Sequence, residues 1–340
     1  MSNSAQAEAQ LHSHVVELIR SHRKLLDDAV RNRAFYAALK KVVKRGSVVL
    51  DIGSGSGIWA LAAAQLGAKR VVALEMDPLL VGVIRELAKE NGLADRVEAI
   101  SASSFNVQLA REFDVVVSET VGNLAFDEQI VPTMADARKR FLKPGGIVIP
   151  QSVSLVVAPS CVARRRIPAR VPLTYRGFDE MDVHVPIAAG PPLGAALNVV
   201  GPARQLAFAN LSSDSEPPLD LSSLECEWAL SRLSRVNSFL VWPEAVLVKG
   251  VRLNARRTSS WSGTAYPVEP IVGKRGTLKL QFSITSTCNY WTTIVTDGSD
   301  KRICSYSPAY VAAKLVAEMR TGGSVSFPIS TRPLPPRDGD

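Results

Sequence analysis

Two glutamates lie nine positions apart in one short segment, SETVGNLAFDE at 118–128, which follows the apolar run FDVVVS. Gly122 and Asn123 permit a tight bend between Glu119 and Glu128, so that both carboxylates could face one site. A pair of carboxylates can bind a planar cation such as guanidinium through charge-assisted hydrogen bonds. The spacing alone fits two solvent-exposed loop glutamates at least as well, so it does not decide between these interpretations.

A glycine-rich segment at 47–57, SVVLDIGSGSG, predicts a ligand-binding turn between a buried parallel strand and a helix. Three glycines alternate in it: Gly53, Gly55 and Gly57. They allow a ligand to approach the backbone closely at a helix N-terminus. A dinucleotide-binding turn would need a further glycine at the position of Ile58. The spacing, opened by Asp51, instead resembles motif I of the class I S-adenosylmethionine (AdoMet) methyltransferases.

A carboxylate at the end of the next predicted strand supports AdoMet as the cofactor. The segment VVALEMD at 71–77 predicts a strand that ends in Glu75. In the class I resemblance this position binds both ribose hydroxyls, and a carboxylate suits two neighbouring donors because it only accepts hydrogen bonds. A glycine-rich turn without a ligand, or a nucleotide-binding fold of another kind, is the alternative.

The composition of the whole chain narrows the functional classes. The chain has 340 residues, 46% hydrophobic and 21% charged, which is enough for two domains. The sequence contains neither an eighteen-residue apolar run nor a signal-peptide pattern, so a cytoplasmic protein without a membrane partner is expected. The net charge of +8 is not accompanied by an RNA-binding signature, and no nucleic-acid partner is expected. The four cysteines and four histidines lack metal-ligand spacing, so no metal is expected.

The order of predicted elements indicates an α/β fold with four regions. A helical pattern predicts an N-terminal helical lid at 1–45. Residues 46–150 alternate apolar strands with helices, which predicts a Rossmann-like AdoMet-binding domain with a doubly wound sheet. Many short β patterns predict a β-barrel-like domain at 151–328, before a disordered tail at 329–340. A helix is expected at 308–320, with no functional assignment.

Four segments occur in the order LDIGSGSG, LEMD, SETVGNLAFDE and KPGGIVIP, and a β-rich region follows them. In this order they resemble the protein arginine methyltransferase family, whose double-glutamate hairpin has the matching form S-E-x-x-G-x-x-x-x-x-E. The resemblance implies that Glu119 and Glu128 bind a guanidinium group and that AdoMet donates the methyl group. The acceptor would be an arginine-containing protein or peptide, or free arginine.

The resemblance also implies roles for residues outside these segments. HRKLLDDAVRNRAFYAAL resembles the helix before motif I, which implies that Arg31 binds the carboxylate of AdoMet. RTSSWSGTAYPVEPIVGKRG resembles the Thr-His-Trp loop, with Ser260 in place of histidine, as in symmetric-type members, and with Trp261 at the tryptophan. Trp261 would either wall the guanidinium slot or belong to the core of the β domain. By the same resemblance, the β domain takes part in substrate binding and dimerisation. An arm at about 164–185 implies a homodimer.

The chain departs from the family pattern at three places. HSHVVELIRS replaces the tyrosine-rich N-terminal motif, and His22 after it is expected at the surface. Phe105 replaces an acidic residue near the adenine, so Ser104 and backbone groups would recognise the adenine amino group. Thr120 and Val121 replace tryptophan and methionine after the first glutamate. Two rival functions stay open: a small-molecule methyltransferase of secondary metabolism, and a non-catalytic interaction module that retains the AdoMet fold.

Overall fold

The computed structural model describes residues 3–162, 187–189, 197–213, 219–273, 275–285, 289–298 and 300–306. The chain forms two compact units. The first comprises Met1–Val153, Ala209–Glu216 and Pro243–Ser262, and the second comprises Ser154–Phe208, Pro217–Trp242 and Gly263–Asp340. The predicted arm at 164–185, helix at 308–320 and tail at 329–340 lie outside the described residues.

Two helices, α1 (Asn3–Asp27) and α2 (Ala29–Val42), open the first unit. Asp28 separates them because its side chain accepts a hydrogen bond from the Arg31 backbone N–H at 3.0 Å, which caps α2. Phe35 of α2 is fully buried and stacks on Trp59 with ring centroids 4.9 Å apart. The helical segment predicted from the sequence is therefore two helices, of which the second packs into the core.

A five-stranded parallel sheet forms the centre of the first unit. Its strands are β1 (Val48–Ile52), β2 (Arg70–Glu75), β3 (Val97–Ser101), β4 (Phe113–Ser118) and β5 (Leu142–Ile149). The helices are α3 (Ile58–Gln65), α4 (Pro78–Glu90) and α5 (Ile130–Arg140). The strand order β3-β2-β1-β4-β5 confirms the predicted Rossmann-like fold. The order reverses between β1 and β4, and ligands of such folds bind at the carboxyl ends of the strands there.

Strands dominate the rest of the described chain, which confirms the predicted β-rich region. They are β6 (Ser152–Val162), β7 (Ile187–Ala189), β8 (Leu197–Val199), β9 (Arg204–Asn210), β10 (Leu224–Ala229), β11 (Val236–Val248), β12 (Val251–Asn254), β13 (Gly263–Ile271), β14 (Thr277–Ile284), β15 (Asn289–Asp297) and β16 (Asp300–Tyr306). One antiparallel sheet has the order β10-β14-β15-β16. A second sheet follows the path β7-β13-β11-β6-β8, with β12 paired to β11 and β9 paired to β6. Trp291 is fully buried in the second unit, and its indole N–H donates to the Pro267 carbonyl oxygen.

Two segments differ from the elements predicted for them. Residues 143–146, predicted as a turn, belong to β5, where the pairing with β4 is irregular. Residues 246–253, predicted as one strand, contain the turn between β11 and β12. The turn forms at Gly250, whose φ of 79° lies in the left-handed region that favours glycine. Apolar residues continue on both sides of Gly250, so the hydrophobic pattern concealed the turn.

Candidate active site

The glycine-rich turn joins β1 to α3, and helix α1 covers it. Gly53, Gly55 and Gly57 have φ values of 66°, 55° and 79°. A Cβ atom at Gly55 would lie 2.8 Å from Nε2 of His22, so a larger residue would collide with the α1 side chain. The ring of His22 is half-buried, and its Nδ1 lies 2.9 Å from the Leu18 carbonyl oxygen. His22 is therefore not the surface histidine expected from the sequence.

Glu75, at the carboxyl end of β2, is fixed by two backbone donors. Its Oε2 accepts from the Gly55 N–H at 2.8 Å, and its Oε1 accepts from the Asp77 N–H at 3.0 Å. Each oxygen keeps a lone pair for a second donor. Asp77 in turn caps α4 through the Leu79 N–H at 2.8 Å and lies 2.7 Å from Nε2 of His14 on α1. The carboxylate predicted to bind ribose thus lies next to the glycine turn, and α1 contacts that turn through His22 and the Asp77 side chain through His14.

Two buried polar atoms near this turn have no hydrogen-bond partner within the described part of the chain: Oδ1 of Asp51 and Nε of Arg31. The other oxygen of Asp51 accepts from the Ala60 N–H at 3.0 Å. Burial, together with the negative charges of Glu75 and Glu119, raises the pKa of Asp51 to about 7. An acidic group in this environment is stabilised in its ionised form by any cation that binds beside it.

The Arg31 guanidinium is buried and held from several sides, with its side chain only 3% exposed. Its Nη1 donates to the Leu25 carbonyl oxygen at 3.1 Å and to Oδ1 of Asn32 at 2.8 Å. Its Nη2 donates to Oε2 of Glu119. The Trp59 ring centroid lies 5.4 Å from its Cζ, within the range of a cation–π contact. These contacts leave Nε as the only Arg31 side-chain nitrogen without a partner among the described residues.

Glu119 contacts two other predicted site residues, Arg31 and Trp261, that are far from it in the sequence. Its Oε2 accepts from Arg31, and its Oε1 accepts from the indole N–H of Trp261 at 2.6 Å. The Glu119 side chain is 8% exposed, and Trp261 is buried as well. Trp261 belongs to the first unit, so it is not a core residue of the second one.

Asp28 anchors the loop that carries Ser260 and Trp261. Its Oδ2 accepts from the backbone N–H groups of Ser259 and Ser260 at 2.9 and 2.8 Å, and from the Ser260 hydroxyl at 2.6 Å. Burial opposes ionisation of Asp28, but the hydrogen bonds from Arg31, Ser260 and Ser259 outweigh it and lower its pKa. Ser260 therefore acts on Asp28 and not directly on Glu119.

We expect Asp28→Ala to lower the free energy of unfolding by about 3 kcal/mol, because it removes a helix cap and the charged acceptor of three hydrogen bonds from Ser259 and Ser260. The exposed neighbour Asp27 provides the matched control, and Asp27→Ala should change stability by less than about 0.5 kcal/mol. Because the pKa of Asp28 is lower in the folded state, its contribution is present above the ordinary value of 3.8 and is lost as the pH falls through the folded-state pKa. Urea unfolding of both variants between about pH 3 and 7 measures this. Equal stability of the two variants at neutral pH would contradict the assignment.

The loop after β4 is folded by contacts between its own residues. Oδ1 of Asp127 accepts from the Leu124 N–H at 3.2 Å and lies where a Cβ of Gly122 would be, at 2.0 Å from it. Ala125 and Gln129 have positive φ values of 66° and 63°, which are uncommon for residues with a side chain. Such strain is frequent at functional loops, where the surrounding structure maintains it.

Glu128, the second glutamate of the loop, differs from Glu119 in having no hydrogen bond or ion pair among the described residues. Partial desolvation of its carboxyl group, with the negative charges of Glu119 and Asp127, raises its pKa to about 7. The residue is exposed, with more than a third of its surface accessible to solvent, so an incoming ligand can reach its carboxyl group. Glu128 is thus a free carboxylate that is protonated more readily than an ordinary glutamate.

Ser104 lies in the loop that follows β3. The Ala102 N–H donates to the Glu75 carbonyl oxygen at 3.0 Å, which places the start of this loop against the end of β2. Ser104 is buried, whereas the next residue, Phe105, is 48% exposed. The loop continues the row of predicted site residues along the carboxyl edge of the sheet.

The sequence analysis missed three residues of this site: His14, His22 and Asp28. Asp28 carried a usable signal, because an aspartate directly before an apolar-periodic segment is typical of a helix N-cap. The two histidines carried none, since the site residues beside them, Asp77 for His14 and Gly55 for His22, lie in distant segments. Within the described residues, no cluster of His, Cys, Asp and Glu could hold a metal ion, and no helix is long and apolar enough to span a membrane.

Comparison with known proteins relates the first half of the chain to methyltransferases. The family model for ribosomal protein L11 methyltransferase (PrmA) matches residues 35–153. The chain is 38% identical over 159 residues to an arginine N(omega)-methyltransferase of Streptomyces achromogenes subsp. streptozoticus. This alignment covers 46% of this chain and 44% of that protein. The chain is 34% identical over 140 residues to protein arginine N-methyltransferase 6 of Danio rerio, which covers 41% and 40%. The matched region thus spans less than half of each of these relatives.

Solved structures match over a larger part of the chain. A chain of the Trypanosoma brucei PRMT1 enzyme–prozyme heterotetrameric complex with AdoHcy matches with a TM-score of 0.69 at 19% identity. The match covers 84% of this chain and 97% of the Trypanosoma brucei chain. Arabidopsis thaliana protein arginine methyltransferase 10 has a TM-score of 0.67 at 20% identity and covers 84% and 96%. At these identities the likeness concerns the fold, and it confirms the predicted Rossmann-like domain followed by a β-rich domain.

Proposed function

We propose that the chain is an AdoMet-dependent N-methyltransferase that acts on the guanidino group of arginine, in a protein, in a peptide or as the free amino acid. The observation that carries this proposal is the contact between Glu119 and Arg31. In the proposed assignment, Arg31 binds the methyl donor and Glu119 binds the acceptor. Under this assignment, their contact would bring the acceptor carboxylate directly beside the donor site.

The polar groups of the first unit fit AdoMet. The amino-acid part of AdoMet has an ammonium and a carboxylate, which match the unpaired acceptor Oδ1 of Asp51 and the unpaired donor Nε of Arg31. Glu75 has lone pairs left for the two ribose hydroxyls. The ammonium and sulfonium charges also suit a site where burial and neighbouring acidic groups raise the pKa of Asp51. Gly53, Gly55 and Gly57 add no side chains of their own to the turn, and the His22 side chain lies against Gly55.

The acceptor would be held by the double-glutamate loop. When bound, AdoMet supplies a methyl group on a sulfonium, and the task of the protein is to orient a poor nucleophile towards it. Guanidinium stays protonated at neutral pH, with its lone pairs delocalised. Glu119 and Glu128 would bind it through charge-assisted hydrogen bonds, and such orientation can lower the barrier by several kcal/mol. Glu128, which has no hydrogen bond or ion pair within the described part of the chain, could bind the cation and later accept the proton that leaves.

Trp261 and Ser260 support Glu119 in this proposal. The Trp261 indole fixes one oxygen of Glu119 at 2.6 Å, so that its carboxylate plane is defined before the acceptor arrives. Ser260 is a positioning residue, because its hydroxyl binds Asp28 at 2.6 Å. By the family resemblance, serine here favours monomethyl or symmetric dimethyl products. A homodimer likewise stays a prediction, since the expected arm lies outside the described residues.

The experiment that tests the function is incubation with methyl-labelled AdoMet and, separately, free arginine, an arginine-rich peptide and a cell lysate. Mass spectrometry then locates the modified nitrogen. Label on a guanidino nitrogen supports the proposal, and the three reactions identify the acceptor class. Label on a neutral acceptor would favour the small-molecule rival, whereas no AdoMet binding in isothermal titration calorimetry would favour the non-catalytic module.

We expect kcat/KM for the acceptor to fall as the pH decreases through about 7, because protonated Glu128 cannot bind a guanidinium cation. The guanidinium itself does not titrate in this range. Asp51 titrates near the same pH, so the rates are measured at saturating AdoMet, whose ammonium keeps Asp51 ionised. A wild-type profile that stays flat from about pH 5.5 to 8 would contradict the role of Glu128.

A further inference from the structure

Arg140, at the C-terminal end of α5, holds two carbonyl oxygens of the loop that contains Ser104. Its Nη2 donates to the Ser104 carbonyl oxygen at 2.5 Å, and its Nη1 donates to the Val107 carbonyl oxygen at 2.9 Å. The same guanidinium forms a two-point contact with Asp136, through Nε at 2.8 Å and Nη2 at 2.6 Å. Arg140 therefore connects a helix to both sides of the turn at residues 104–107.

Asp136 fixes the orientation of Arg140. The two residues are one helical turn apart on α5, and both are partly buried, with side-chain exposures of 27% for Arg140 and 23% for Asp136. The Phe141 ring lies 4.3 Å from the Arg140 Cζ, which adds a cation–π contact. A guanidinium bound to a carboxylate on one edge presents its remaining N–H groups in a fixed plane. That plane is directed at the carbonyl oxygens of Ser104 and Val107.

The sheet order indicates which part of the ligand this loop meets. Glu75 ends β2, and β3 is the next strand outward in the order β3-β2-β1. The loop after β3 begins against Glu75, through the Ala102 N–H. With the amino-acid part of AdoMet at Asp51 and Arg31 and the ribose at Glu75, the base extends towards the loop after β3. Residues 102–107, which we call the base loop, would then contact the adenine.

We propose that Arg140, aligned by Asp136, is a positioning residue that sets the shape of the base loop and so determines recognition of the adenine. The inference rests on the proposed function, because it takes AdoMet as the ligand. Position 105, where an acidic residue would accept from the adenine amino group, is Phe105. Recognition of that amino group then depends on Ser104 and on backbone carbonyl groups, whose positions Arg140 fixes.

Three variants and one control test this role. Arg140→Gln removes the guanidinium, Arg140→Lys keeps the charge but cannot hold two carbonyl oxygens and a carboxylate together, and Asp136→Asn leaves Arg140 in place without its aligning carboxylate. Lys139→Gln is the matched control, because it also removes one positive charge from α5, at a neighbouring residue that is exposed. Binding of S-adenosylhomocysteine and of S-inosylhomocysteine, which lacks the adenine amino group, is measured by calorimetry for each protein.

We expect Arg140→Gln and Arg140→Lys to weaken S-adenosylhomocysteine binding by roughly tenfold and to reduce the preference for adenine over hypoxanthine to near one. Asp136→Asn should show a smaller change of the same kind, and Lys139→Gln none. Thermal midpoints within about 3 °C of the wild type exclude general unfolding as the cause. Unchanged base preference in the Arg140 variants, or equal loss for both ligands, would overturn the inference. Failure of the wild type to bind S-adenosylhomocysteine would instead refute the proposed function.

Discussion

We expect Glu119→Gln to lower the free energy of unfolding by about 3 kcal/mol and to abolish methyl transfer, whereas Glu128→Gln abolishes transfer without loss of stability. The difference follows from the partners of the two glutamates. Glu119 forms a buried ion pair with Arg31, with side-chain exposures of 8% and 3%, so a neutral amide leaves a buried cation without its counter-charge. Glu128 is exposed and unpaired among the described residues, and it is already poorly disposed to ionise.

Urea unfolding gives the stability difference, and transfer from labelled AdoMet to the identified acceptor gives the activity. The double variant Arg31→Leu/Glu119→Leu is the control for the ion pair. Replacing both charges with apolar groups should recover most of the stability that Glu119→Gln loses, while activity stays absent. If Glu119→Gln is as stable as Glu128→Gln, the Arg31 contact does not stabilise the fold. If either single variant transfers methyl groups at the wild-type rate, the proposed guanidinium site is wrong.

The contact between Glu119 and Arg31 also separates the two glutamine variants in their expected effect on AdoMet binding. Because Arg31 contacts Glu119 and is also proposed to bind AdoMet, Glu119→Gln should disturb cofactor binding as well. Glu128→Gln is therefore the variant that separates acceptor binding from cofactor binding. The two glutamates are equivalent in the sequence motif, but their surroundings in the fold make them different.

Local chemistry explains which parts of the fold and site were predictable. The glycine-rich turn and Glu75 lie next to the strands that position them, so spacing and hydrophobic pattern were sufficient. Glu119 contacts Arg31, which is 88 positions away in the sequence, and Trp261, which is 142 positions away. No local sequence pattern specifies either contact. Those residues were selected by family resemblance, and the structure shows their physical connection.

The same limit accounts for what the sequence did not indicate. Asp28 caps α2 through a local rule, but its second oxygen binds Ser259 and Ser260, more than two hundred positions later. The turn at Lys249 and Gly250 was hidden because apolar residues lie directly on both sides of it, so the strand pattern resumed where the chain reversed. Contacts between residues far apart in the sequence, such as those of Asp28 with Ser259 and Ser260, therefore cannot be predicted from the local hydrophobic pattern.

We expect Glu75→Ala to weaken AdoMet binding by at least about a hundredfold, because each of two hydrogen bonds to a charged acceptor contributes about 1.5 kcal/mol or more. The carboxylate also accepts from Gly55 and Asp77, so its removal releases the glycine turn as well as the ribose. Glu90→Ala is the control, since Glu90 is an exposed glutamate at the end of α4. Isothermal titration calorimetry gives the affinities, and a Kd for Glu75→Ala within threefold of the wild type, roughly 0.6 kcal/mol, would exclude Glu75 from the ribose site.

Glu75→Gln separates the two contributions of Glu75. An amide has one acceptor oxygen, so its NH2 group must face either the Gly55 N–H or the Asp77 N–H, which are both donors. One backbone contact is then lost and one is kept, while the side-chain volume is unchanged. An affinity between those of the wild type and Glu75→Ala is therefore expected. If Glu75→Gln binds AdoMet as weakly as Glu75→Ala, the negative charge is essential, whereas wild-type affinity would mean that only the shape of the side chain matters.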